Sequence, residues 1–129
     1  MKLIIDIGNT RTKLAVFSDN ETKELFVTEN LSLKLLTKVV KKYPAISSAI
    51  LSAVKDYPSE IDDFLRDRFY FLKLDKQTPV SVKILYKSPE TLGKDRIAVA
   101  VASQALFPGE NVLAIDAGTT ITYDFINEK

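Results

Sequence analysis

Two stretches of this chain, far apart along it, are built to the same plan. Residues 3–12 read Leu-Ile-Ile-Asp-Ile-Gly-Asn-Thr-Arg-Thr, and residues 113–122 read Leu-Ala-Ile-Asp-Ala-Gly-Thr-Thr-Ile-Thr. Each is an apolar run, then Asp, any residue, Gly, any residue, Thr, any residue, Thr. The separation of Asp6 from Asp116 is too long for a solenoid repeat. It suits two related lobes that each open with the same strand-turn-strand hairpin. Such a hairpin constrains both fold and chemistry. Its strand delivers an aspartate at the carboxyl end, where α/β sheets place ligands. Its glycine lets backbone N–H groups approach an anion closely.

A single Asp-x-Gly is more often an ordinary β-turn than a site. Two copies in one strand context, with matching threonines, point to a polyphosphate clamp. The carboxylate repels phosphate, so its task there is to hold a cation, directly or through water, that bridges to phosphate oxygens.

The residue inventory narrows the chemistry further. There is no cysteine and no histidine. Disulfides, thiolate and imidazole metal sites and a Ser-His-Asp triad are therefore excluded. Carboxylates, hydroxyls, Lys, Arg and backbone amides must do any work. Eighteen basic residues against seventeen acidic leave a net charge of +1, which gives no electrostatic reason to expect nucleic acid or a membrane surface as partner. No secretory leader or membrane-length apolar run is visible, so a cytoplasmic location is expected.

The pattern of apolar residues predicts an α/β fold with a mixed sheet flanked by helices. Strands are expected at 2–5, 13–17 and 24–28, with a turn over 18–23. A helix is expected over 31–43, with Leu31, Leu35, Leu36, Val39 and Val40 inward and Pro44 as its stop. A buried strand follows over 49–54. Pro58 opens a helix whose inward stripe is Ile61, Phe64, Leu65 and Phe69. Further strands are expected at 71–74 and 80–86, then an apolar helix over 92–107 ended by Pro108-Gly109, and strands at 112–115 and 120–126.

Between the hairpins lies Tyr86-Lys87-Ser88-Pro89-Glu90-Thr91-Leu92-Gly93-Lys94-Asp95-Arg96. Gly93 falls where the third helix begins and Asp95 in its first turn. An acidic residue there is also what the helix dipole alone would favour. The same place offers free N–H groups, a carboxylate and a guanidinium, a set able to hold a small acidic substrate and present its hydroxyl.

Together, DIGNTRTK at the start, GKDR in the middle and DAGTTIT near the end resemble type III pantothenate kinase, over the whole chain and in order. The resemblance implies a ribonuclease H-like, actin-like ATPase lobe over 1–110 and the first hairpin of a second, similar lobe over 111–129. It implies phosphorylation of pantothenate, with ATP, Mg2+ and a monovalent cation, K+ or NH4+, in a homodimer. It also implies roles. Asp6, Ile7, Gly8, Asn9, Thr10, Arg11, Thr12 and Lys13 would form the ATP-phosphate loop, with Asp6 near the metal and Thr119 a second ATP contact. Asp116 would hold the monovalent cation. Tyr86, Gly93, Lys94, Asp95 and Arg96 would bind pantothenate, with Asp95 as proton acceptor and Arg96 facing the carboxylate.

An aspartate beside an arginine and a helix N-terminus is a weak base, so orienting the hydroxyl is the larger task expected of Asp95. Members of that family are longer than this chain. On the sequence alone it is expected to be a truncated piece, with little activity and an exposed hairpin edge prone to self-pairing. Two alternatives stay open: a kinase of the same superfamily acting on another hydroxyl compound, and a non-catalytic relative.

Overall fold

The computed structural model describes residues 1–75 and 77–127. The chain divides into two compact units, Met1–Leu74 and Asp75–Lys129. The third helix therefore lies in one unit with the second hairpin.

The first unit holds a five-stranded sheet in the order β3-β2-β1-β4-β5. β1 (Lys2–Ile7), β2 (Thr12–Ser18) and β3 (Glu21–Thr28) form an antiparallel meander. β4 (Ser48–Ala53) pairs parallel with β1, and β5 (Tyr70–Lys73) pairs parallel with β4. The α/β class and the mixed sheet expected from the sequence are what the chain forms.

One face of this sheet is the core. Leu3, Ile5 and Ile7 of β1 alternate inward, joined by Leu14, Val16, Ala49, Leu51 and Ala53. Helix α1 (Leu33–Lys42) contributes Leu36 and Val39, and helix α2 (Glu60–Arg66) contributes Ile61 and Leu65. Full burial of each such side chain stabilises the fold by about 1.5–3 kcal/mol. α1 starts two residues later than expected because Ser32 caps it, its Oγ accepting from the Leu35 amide at 3.3 Å. Leu31 before the cap and Leu36 after it are both buried, the arrangement of a hydrophobic staple.

The turn expected over 18–23 is shorter. β2 runs to Ser18 and β3 starts at Glu21, because Asp19 and Asn20 both take positive φ, 53° and 63°. Asp and Asn tolerate that region, and a two-residue turn with both φ positive matches the twist of a hairpin.

The second unit contains a 3-10 turn at Pro89–Thr91, helix α3 (Lys94–Leu106), and the antiparallel pair β6 (Val112–Ala117) and β7 (Ile121–Ile126). Residues 80–86, expected as a strand, are not one. Val82 and Ile84 are half-buried while Lys83 and Leu85 are exposed, which gives the period-two pattern. That pattern reports side-chain environment and not a neighbouring strand; β6 and β7 pair only with each other. No helix among the described residues is long and apolar enough to cross a membrane.

One polar cluster ties α2 to the edge strand β5. Asp62 accepts from the Tyr57 hydroxyl at 2.6 Å and from Lys73 Nζ at 2.8 Å. Burial pushes the Asp62 carboxyl up, but the hydrogen bonds from Lys73 and Tyr57 outweigh it and hold it below the ordinary range. Lys73 is raised chiefly by its bond to Asp62, and Tyr57 by burial and then that same residue. The Asp62 contribution is therefore present above about pH 4 and lost as pH falls through its lowered value. The Lys73 and Tyr57 contributions are present below about pH 10 and lost as pH rises through their raised values. Asp62→Ala is expected to cost about 1–3 kcal/mol in urea unfolding at neutral pH. The loss should shrink toward acid pH, where the native carboxylate is itself protonated.

Candidate functional site

In the first unit, β1 carries Asp6 to the carboxyl end of the central strand, and the chain turns at Gly8. The Gly8 amide donates to the Arg11 carbonyl at 3.0 Å, closing a loop of Gly8, Asn9, Thr10 and Arg11 between the paired residues Ile7 and Thr12. A Cβ on Gly8 would stand 3.0 Å from the Arg11 carbonyl oxygen, so the loop is shaped around the absence of a side chain. Lys55, just past β4, reaches the carbonyls of Asn9 at 3.3 Å and Glu29 at 3.4 Å and braces the loop from the side.

The pairing sorts the loop's residues by face. Asp6 stands across from Lys13 on β2 and Ser52 on β4, so these three rise from the face opposite α1 and α2. Ile7 and Thr12 rise from the core face, and both are essentially fully buried. Any contact of Ile7 with a nucleotide would have to come from its backbone. Asn9, Thr10 and Arg11 are exposed at the tip.

The second hairpin repeats the sequence but not the register. The Gly118 amide donates to the Thr120 carbonyl at 3.0 Å, and Ala117 pairs with Ile121, so the loop is one residue shorter. Ile121 is β-branched and joins the strand, where Arg11 at the matching position stays in the loop. As a result Thr122 stands across from Asp116, on its face, whereas Thr12 faces away from Asp6. Thr119 lies in the turn, and Asp116 is exposed.

Asp95 and Gly93 are coupled. Asp95 sits in the first turn of α3 with Gly93 as the cap, and its Oδ1 accepts from the Arg96 amide at 2.9 Å. A Cβ on Gly93 would fall 2.3 Å from that same Oδ1. The glycine is therefore what allows the carboxylate to fold back over the helix start.

Arg96 is held by a residue that the sequence reading missed. Asp124 of β7 accepts from Arg96 Nε through both carboxylate oxygens, at 3.0 and 3.1 Å, and from NH2 through Oδ1 at 2.5 Å. The hydrogen bonds to Asp124 push the guanidinium pKa up, against the opposing effect of burial. The guanidinium also lies 5.2 Å from the centre of the Tyr86 ring, within cation–π range. Tyr86, Arg96 and Asp124 line a cavity of about 500 Å3, with Val82, Ile84 and Leu92 among its apolar walls. Gly93, Lys94 and Asp95 are not among its lining residues. The only sequence signal for Asp124 was its place two residues past Thr122, on the same face of the strand.

The donor chemistry beside the Gly8 turn fits a hard cation. Asp6 and Ser52 present oxygen atoms on one face, and hard cations take oxygen ligands. Among the described residues no three acidic side chains gather, so a cation here would rely on one carboxylate plus hydroxyl, water or phosphate oxygens.

Gly93→Ala is expected to leave the fold intact and swing the Asp95 carboxylate off the helix start, visible as a large shift of the Arg96 amide resonance. Asp124→Ala strands a partly buried guanidinium and is expected to cost about 1–3 kcal/mol in urea unfolding.

Residues 2–129 match the model of the type III pantothenate kinase family. The chain is 45% identical over 127 residues to a type III pantothenate kinase of Phocaeicola vulgatus, a stretch covering 98% of this chain and 52% of that one. It is 42% identical to one of Christiangramia forsetii, over 99% of this chain and 53% of that one, and 40% identical to one of Flavobacterium johnsoniae, over 100% and 53%. The chain thus spans about half the length of the curated relatives it matches. With a mixed sheet flanked by helices, as in an actin-like ATPase fragment, and with an Asp-x-Gly turn at the end of its central strand, the chain belongs to the type III pantothenate kinase family.

Proposed function

We propose that this chain supplies the phosphate turn and acceptor-binding residues of an enzyme that transfers the terminal phosphoryl group of ATP to pantothenate. The product is 4'-phosphopantothenate, and the reaction opens coenzyme A synthesis. The observation that carries this reading is the Asp-x-Gly turn at the carboxyl end of a central strand, in a chain whose match to the family runs from residue 2 to residue 129.

In this reading Gly8, Asn9, Thr10, Arg11 and Lys13 grip the phosphates of ATP through backbone amides and cationic side chains. Ile7 contributes backbone only. Thr12 contributes its place in the strand pair. Asp6 would hold Mg2+ and Asp116 a monovalent cation, K+ or NH4+; such ions supply neutralisation of the charge on the transferring phosphoryl group. Thr119 adds a second contact to ATP from the other turn.

Tyr86, Gly93, Lys94, Asp95 and Arg96 serve the acceptor. Arg96 is already committed through Nε and NH2 to Asp124, which leaves its NH1 edge for the pantothenate carboxylate. The acceptor hydroxyl oxygen attacks the terminal phosphorus as the bond to the ADP oxygen breaks. Asp95 orients that hydroxyl and takes its proton late, which suits a loose transition state. In this proposal residues 111–129 open the second lobe, and the working form is a cytoplasmic homodimer.

The alternative within the same superfamily, a kinase of another hydroxyl compound, is separated by offering labelled ATP and a panel of acceptors to a protein of the relatives' full length. Pantothenate is expected to be phosphorylated well above the sugars and hydroxy acids of the panel. Asp95→Asn is expected to lower kcat by about 10²-fold or more with KM for ATP little changed. Most of the turnover surviving in Asp95→Asn would remove that residue from the mechanism.

A further inference from the structure

Ser52 is 8% exposed, and its Oγ is buried without a hydrogen-bond partner. Buried hydroxyls in folded proteins are nearly always satisfied, and one that is not costs stability. Thr12 Oγ1, on the core face, is in the same state; what sets Ser52 apart is its position. β4 pairs with β1 in parallel register, with Ser52 directly beside Asp6, so both side chains rise from the same face about 4.8 Å apart at the backbone. Thr122 repeats the arrangement in the second unit: its Oγ1 is also buried and unpartnered, and it pairs with Asp116. Each motif aspartate thus has a cross-strand hydroxyl that the fold itself leaves unused.

We propose that Ser52 is a cation-site residue, its hydroxyl accepting from a water of the hydrated divalent cation that Asp6 holds beside the nucleotide's phosphates. This rests on the phosphate-turn reading above. A small divalent cation dehydrates reluctantly and keeps several waters, so it needs neutral oxygens around its shell as well as a carboxylate. A hydroxyl one strand away from that carboxylate is such an oxygen. The arrangement also explains why an unsatisfied hydroxyl is retained in the strand: the folded chain carries its cost, and ligand binding recovers it.

The test is made on the 129-residue chain with Ser52→Ala and, as a control on the underlying reading, Asp6→Asn. Melting temperature is followed while Mg2+ is titrated at fixed ATP. Ser52→Ala is expected to melt no lower than the parent without ligand, since it loses only an unsatisfied polar atom. The Mg2+ needed for half-maximal stabilisation by ATP is expected to rise about tenfold, with the full effect regained at saturating Mg2+.

Three results would overturn the proposal. An Mg2+ midpoint equal to the parent's in Ser52→Ala, with the response lost in Asp6→Asn, removes Ser52 alone. A lower melting point without ligand, and an unchanged Mg2+ midpoint, makes the hydroxyl merely structural. Absence of any ATP response in the parent overturns the phosphate-turn reading, and Ser52 with it.

Discussion

The hydrogen-bond ladders on both edges of β1 are the constraint on which the first unit depends. β1 is paired along its whole length, antiparallel to β2 and parallel to β4. Leu3, Ile5 and Ile7 are clamped into the core on alternate positions, so the register cannot slip without turning all three to the opposite face. That fixes where Asp6 emerges and which residues flank it. The loop at Gly8 then only has to close a hairpin whose ends are already held. Positioning of this kind would serve the proposed phosphoryl transfer, whose chemistry needs little covalent help.

The second unit solves its positioning problem with charge. Arg96 projects from α3, and a guanidinium on a long side chain would otherwise sample many rotamers. Asp124 takes its Nε–NH2 edge, and Tyr86 lies against its face. Bidentate pairing is both the strongest and the most directional way to hold an arginine. Asp95 is positioned differently: its carboxylate folds over a glycine-capped helix start, in a space that any side chain at 93 would occupy.

Much of this was legible in the residues. The strands expected at 2–5 and 13–17, the helical stripe of α1 and the helix after Pro58 all follow from apolar runs, periodicity and capping chemistry, which are local. What escaped was set by partners distant in sequence. The 80–86 run alternates like a strand but pairs with no strand among the described residues. The identical Asp-x-Gly-x-Thr-x-Thr strings take different registers, because Arg11 stays in the loop while Ile121 extends a strand. Thr12 and Thr122 therefore face opposite ways relative to their aspartates, which the matching letters concealed. Asp124 and Ser52 carried no motif of their own; only the β4 and β7 pairings bring them into the argument.

The most direct measurement is paramagnetic broadening of the chain's amide resonances by Mn2+-ATP, with Mg2+-ATP as reference. The account predicts selective broadening at Gly8, Asn9 and Thr10 and at Asp6 and Ser52 beside them. The Asp19-Asn20 turn at the opposite end of the same sheet should stay sharp. Equal broadening at both ends, or none at Gly8 to Thr10, would contradict the claim that this turn is where the nucleotide's phosphates bind.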